Sequence, residues 1–123
     1  MATLIIAPAN ERTAYSPCET LAGIAGWELD GPATALETRL FFYTEGRGTQ
    51  DTCIVNRVRF EHPSSAERRP FQFRLPDGPY SFSGKLISLR WALELVAEPD
   101  KQSHRLDLII APAGKEVILS SNG

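Results

Sequence analysis

The sequence predicts an all-β protein: a two-sheet antiparallel β-sandwich of seven to eight strands. Three observations carry this expectation. Apolar residues recur at every second position in nearly every segment. Turn-forming residues interrupt the chain every eight to fifteen residues. No stretch has the apolar spacing of a helix. Strands that bury one face and show the other to water alternate in this way, as two packed sheets require, and a closed barrel is the alternative. With 123 residues, of which 42% are hydrophobic and 23% charged, the chain forms a single domain over 1–123 and needs no disulfide or metal staple.

Each element follows from its boundaries. The first run, Thr3 to Ala7, stops at Pro8. After the turn Tyr15-Ser16-Pro17-Cys18, residues Glu19 to Leu29 place Leu21, Gly23, Ala25, Trp27 and Leu29 on one face, and Asp30-Gly31-Pro32 ends the strand. Ala35 to Glu45 sets Leu36, Thr38, Leu40 and Phe42 against Glu37, Arg39, Phe41 and Tyr43 on the opposite side. A turn around Gly46-Arg47-Gly48 leads to Asp51–Glu61, with Ile54, Val58 and Phe60 inward and Val55, Arg57 and Arg59 outward, paired to its predecessor. His62 to Arg69 reads as a loop. Phe71, Phe73 and Leu75 then share a face, and Pro76-Asp77-Gly78-Pro79 turns the chain. Lys85 to Val96 is the longest alternating stretch, with Ile87, Leu89, Trp91, Leu93 and Leu95 facing one way. A polar connector, Glu98 to Ser103, precedes a strand over His104 to Ala111, and Val117 to Leu119 forms a short last apolar group. The run Leu-Ile-Ile-Ala-Pro-Ala occurs at 4–9 and again at 108–113. Nothing around the two copies matches, so they read as convergent strand endings at a proline, and both are candidates for sheet edges.

Thirteen basic against fifteen acidic residues leave a net charge of −2, without the basic footprint that holds phosphates, so nucleic acid is not an expected partner. The apolar start, Met1 to Ala9, is uncharged and too short for a signal-peptide core or a membrane span; no leader and no span are expected, and the default compartment is the cytoplasm. Cys18 and Cys53 lie 35 residues apart without a CxxC or a neighbouring histidine, which reads as two separate thiols rather than a redox or zinc site. His62 and His104 read as solvated or structural. No nucleophile-elbow, zinc-protease, phosphate-loop or dinucleotide motif is present. Neither catalytic residue, metal nor cofactor is expected.

Two phrases carry a family resemblance. Tyr15-Ser16-Pro17-Cys18-Glu19-Thr20-Leu21-Ala22-Gly23 resembles the Y-x-P-G-E-x-[VL]-x-G phrase near the start of arrestin-like domains, with Cys18 where the family usually has glycine. Phe71-Gln72-Phe73-Arg74-Leu75-Pro76, then Pro79-Tyr80-Ser81-Phe82-Ser83-Gly84 and the strand through Trp91, are similar to the family's F-x-F-x-[LI]-P … P-x-S-F-x-G phrase and the strand after it. The resemblance covers about residues 3 to 111 and implies one immunoglobulin-like sandwich of the arrestin N-terminal type. Relatives of this architecture include visual and β-arrestins, α-arrestins, an arrestin-fold retromer subunit and bacterial sporulation-control proteins, which usually carry two sandwiches in tandem. At Cys18 the departure from glycine predicts a turn of another geometry.

The resemblance implies an adaptor that binds protein without a catalytic centre. Phe41 and Tyr43, on the solvent side of one strand, with Arg57 and Arg59 on its neighbour, combine the residue types enriched at interface centres, and form the candidate interaction surface for a protein partner or for self-association as a homodimer. The competing expectation is that this face is covered by a loop or the C-terminal tail. Strand addition at a sheet edge is a second binding mode. A carbohydrate-binding module using Trp27, Tyr43 and Trp91 as platforms is the alternative function, although both tryptophans fall on apolar faces. Carboxylate catalysis by Glu37, Asp51 and Glu94 lacks a motif.

Overall fold

The computed structural model describes residues 2–46, 48, 50–98 and 102–118. Arg47 of the glycine turn, Leu119 of the last apolar group and residues 99–101 of the polar connector lie outside them. Seven long strands are present among the described residues: β1 (Thr3–Pro8), β3 (Thr20–Glu28), β4 (Ala35–Glu45), β5 (Gln50–Arg59), β6 (Ala66–Arg74), β8 (Ser88–Glu98) and β9 (Gln102–Ile110). Three two-residue strands, β2 (Ala14–Tyr15), β7 (Phe82–Ser83) and β10 (Val117–Ile118), complete the set.

The strands form two sheets, as expected of a sandwich. The smaller is antiparallel in the order β1-β3-β6. In the larger, β4 is flanked by β5 and β8, and β8 also pairs with β9 and, at Phe82 opposite Leu89, with β7. Two short pairings are parallel, β2 with β9 and β10 with β7. The twin Leu-Ile-Ile-Ala runs fall in β1 and β9, in different sheets, and do not pair; β1 is an edge of the small sheet.

The core lies between the sheets. Leu21, Ala25, Trp27, Phe71 and Phe73 come from one layer, and Leu36, Leu40, Leu89, Trp91, Leu93, Leu95, Leu108 and Ile110 from the other. Both indoles are satisfied inside it: Trp27 Nε1 donates to Ser64 O at 2.8 Å and Trp91 Nε1 to Pro79 O at 2.9 Å. Fully burying an aromatic of this kind stabilises by roughly 1.5–3 kcal/mol.

Two motif turns hold the layers in register. Pro17 and Cys18 occupy the corner of a turn closed by Glu19 N–H donating to Ser16 O at 3.3 Å, and Cys18 takes φ 65°. The left-handed geometry expected for glycine is therefore kept, and the cysteine adopts it. The Cys18 N–H donates to Pro76 O and Leu75 N–H to Glu19 O, tying the first phrase to the second. The Glu19 carboxylate accepts from Ser16 N–H at 2.9 Å and pairs with Arg12 at 2.5 Å. The Arg12 hydrogen bond, helped by the Ser16 amide, holds Glu19 below the usual carboxylate range. Burial pushes the Tyr15 hydroxyl up. In the second phrase, buried Ser81 donates its N–H to Ile110 O at 2.7 Å while its Oγ accepts from Ile110 N–H at 3.0 Å, and its carbonyl accepts from Val117 N–H.

Four expectations are corrected. A β-bulge between Leu40 and Phe41 sets Phe41 opposite Ile54 and Leu40 opposite Asn56, so Val55 is the extra residue and Ile54 shares the outer face with Phe41 instead of pointing inward. Ala66 to Arg69, read as loop, are strand residues paired with β3: an edge strand with half-exposed faces tolerates their charges. Lys85 to Ile87 precede the strand, and Ile87 is exposed rather than inward-facing. Cys18 keeps its positive φ, as described above.

Candidate functional site

The outer face of the large sheet carries all four residues of the sequence-predicted surface. Along β4 it presents Glu37, Arg39, Phe41, Tyr43 and Glu45. Directly opposite on β5 stand Arg59, Arg57, Ile54, Thr52 and Gln50, and on β8 Val96, Glu94, Ala92, Arg90 and Ser88. Antiparallel partners share a face, so these rows form one surface.

Phe41 and Tyr43 lie on this face but are only 6% and 4% exposed. Their rings pack 6.1 Å apart in a cluster with Ala92. The Arg105 guanidinium, reaching from β9 across the small Ala92, lies 4.1 Å from the Tyr43 ring centroid and 5.3 Å from that of Phe41. A cation over a ring face is attracted by its quadrupole, by about 0.5–1 kcal/mol at exposed sites. The aromatic pair is thus a capped floor. Its cover is a side chain from two strands away, a contact that no reading of one strand at a time would find.

The arginines divide differently. Glu37, 8% exposed, accepts from Arg39 Nε at 2.6 Å and lies 3.7 Å from Arg57 Nη1. Arg59 stands opposite Glu37 on the exposed β5. At the other end of the hairpin, Glu45 and Arg90 approach to 3.9 Å. Arg57 and Arg59 are therefore the part of the candidate patch that reaches the surface, next to Ile54 and Val55, each 40% exposed.

Strand β5 is what the sequence reading missed. Every residue from Gln50 to Arg57 is exposed, on both faces, and among the described residues no strand pairs with its outer edge. Asp51, Cys53 and Asn56, on the side nearer the small sheet, are as exposed as their neighbours. The strand overhangs the three-stranded layer. Its β-branched centre offers the apolar Ile54 and Val55, next to Thr52, along an edge that no strand pairs among the described residues.

A second exposed apolar area lies on the outer face of the small sheet, where Ile5 and Ile24 are 41% and 40% exposed beside Ala7 and Pro70. Neither tryptophan is available as a sugar platform, since Trp27 is 4% and Trp91 0% exposed. Of the carboxylates named above, Glu94 is opposite Arg39 and diagonal to Glu37 on the outer face, and Asp51 is on the inner face near the far end of the hairpin from Glu37. Among the described residues no cluster of three His, Cys, Asp or Glu could hold a metal, and no helix is long and apolar enough to cross a membrane.

Comparison with known proteins bears on the fold. Spo0M, the sporulation control protein of Bacillus subtilis, superposes with a TM-score of 0.60 at 16% identity, over 89% of this chain and 48% of that one. The fold is an arrestin-like β-sandwich. This chain spans about half the length of Spo0M. A portion of a β-glucosidase from Listeria innocua, solved with gluconolactone, is also similar, with a TM-score of 0.50 at 8% identity over 95% of this chain and 16% of that one. No protein-family model and no curated protein matches the sequence.

Proposed function

We propose that this arrestin-like domain, of the N-terminal type by its two phrases, is a non-catalytic protein-binding or scaffold module. Its contact surface is the exposed strand β5 with Arg57 and Arg59, adjoining the floor of Phe41 and Tyr43 under Arg105. The observation that carries this reading is the exposure of β5 on both faces together with its unpaired edge. Extended partners add to such an edge by main-chain hydrogen bonds and are selected by alternate side chains. The likeness to a sporulation control protein agrees with a regulatory rather than a catalytic role. Cys18 and Cys53 are both free and exposed, which fits a reducing compartment such as the cytoplasm. A carbohydrate-binding role has lost its tryptophan platforms to the core.

Photo-crosslinking in the producing cell tests the surface. A photoreactive residue at Ile54 is expected to give discrete protein adducts, and the same residue at exposed Thr20, on the other sheet, none. Equal adduct patterns at both positions, or none at Ile54, would overturn the reading.

A further inference from the structure

We propose that the occupant of the β5 edge is a second copy of this chain, paired antiparallel along Gln50–Arg59 so that the large sheets of two protomers become one continuous sheet. The inference rests on the reading of β5 as a contact surface and adds the partner to it.

Three features of the strand point to a two-fold contact. Self-pairing about its midpoint sets the apolar Ile54–Val55 centre of one copy against that of the other, and a two-fold interface requires such self-complementarity. The net charge differs between the ends of the hairpin: Arg39, Arg57 and Arg59 outnumber Glu37 on the outer row at one end, while at the other Glu45, beside Arg90, lies on that same row and Asp51 on the inner face, with Arg47 outside the described residues. Antiparallel pairing brings the basic end of each copy to the acidic end of its partner, whereas parallel pairing in register stacks arginine on arginine. Finally, the edge is poorly guarded. Protected edges are short or carry lysine or proline. This one runs ten residues with neither; its guards are the charges of Asp51, Arg57 and Arg59 towards its ends, the single bulge, and Asn56 Oδ1, which accepts from Arg57 N–H at 2.8 Å.

Sedimentation equilibrium of the full chain, from micromolar to sub-millimolar concentration, is expected to rise from 13.6 kDa towards twice that mass. Ile54→Lys with Val55→Lys, both at exposed positions, should keep the fold by circular dichroism and weaken dimerisation by roughly tenfold or more, the factor of about one lost charged or apolar contact. The charge arms identify the pairing sense. Glu45→Lys with Asp51→Lys, and separately Arg57→Glu with Arg59→Glu, should each weaken the homodimer, and an equimolar mixture of the two should form a heterodimer. A nitroxide on Cys53, in a Cys18→Gly background, should report a partner label close by, since antiparallel pairing about Ile54–Val55 puts the two Cα atoms roughly 5 Å apart across the strands and about 10 Å along them.

A monomer at every concentration would overturn the dimer while adducts at Ile54 with other proteins left the binding reading intact. A dimer that survives the Ile54/Val55 change but dissociates on Ile24→Lys would place the interface on the small sheet and overturn the proposal. So would mutant charge pairs that fail to rescue each other.

Discussion

Thr38 is the sharpest test of the packing. It sits on the inner face of β4, opposite Val58 of β5 and Leu95 of β8, is 0% exposed, and its Oγ1 finds no hydrogen-bond partner among the described residues. A buried hydroxyl without a partner forfeits its hydration for nothing, at about 1–3 kcal/mol. Valine has the same shape with a methyl in place of that hydroxyl, so Thr38→Val removes the penalty and adds apolar contact without a cavity. The expected gain is about 1–2 kcal/mol. For a domain of this size about 4 °C accompanies each kcal/mol, so the melting temperature should rise by roughly 4–8 °C. Urea unfolding followed by the fluorescence of the buried Trp91 measures the change, with the m-value constant. Thr38→Ser, which keeps the hydroxyl and removes the methyl, should instead lose about 1 kcal/mol. If Thr38→Val lowered stability while Thr38→Ser left it unchanged, the hydroxyl would be bonded in solution, and the account of this layer would be wrong.

Ser81→Ala strips the acceptor from the buried Ile110 N–H and should cost about 1–3 kcal/mol, with faster hydrogen exchange at the Ile110 amide; exchange at the wild-type rate would contradict that assignment. Cys18→Gly relieves a left-handed residue, worth about 1–2 kcal/mol, against an unfolded-chain entropy cost of about 0.4–1, so a net gain of roughly 0.5–1 kcal/mol is expected in urea unfolding. The Glu19 carboxyl is lowered from its ordinary 4.5 by Arg12 and the Ser16 amide, so its contribution is complete above that value and is lost as pH falls through the lower folded one. Glu19→Gln should therefore be less stable than wild type at neutral pH, and the two urea midpoints should converge in acid; parallel midpoints down to low pH would show that the Arg12 pairing does not matter.

Much of the fold was legible because local chemistry decided it. The bounds of β4, from Ala35 to Glu45, coincide with the alternating run between two turns, and its inner row, Leu36, Thr38, Leu40 and Phe42, is where the period of two places it. The two family phrases are legible for a physical reason: Glu19 closes its own turn through the Ser16 amide, and Ser81 ties the second phrase to β9 and β10 through Ile110 and Val117. What was not legible depends on neighbours. One extra residue at Val55 reverses the face of everything read across it, and nothing in Thr-Cys-Ile-Val-Asn marks the bulge. The shielding of Phe41 and Tyr43 comes from Arg105, more than 60 positions away in sequence, and needs Ala92 to be small. Ala66 to Arg69 look like loop because charges are scored against burial, yet on an edge strand they need no burial.

The same dependence on neighbours explains why the candidate surface lies where it does. Three strands face a layer that is wider, and the excess falls on β5, the strand beyond β4. A strand in that position satisfies its inner backbone edge through β4 but finds no opposing layer for its side chains, so Asp51, Cys53 and Asn56 stay wet although the alternation of the hairpin would place them over a core. Arg57, on the outer face, is half in solvent, with Glu37 as its anchor across the ladder. Stability gains little from such a strand beyond the β4 hydrogen bonds. Its ten residues and its β-branched centre would be an aggregation liability unless something pairs with them, and that liability is the physical reason to expect a partner at this edge rather than on the sealed aromatic floor beside it.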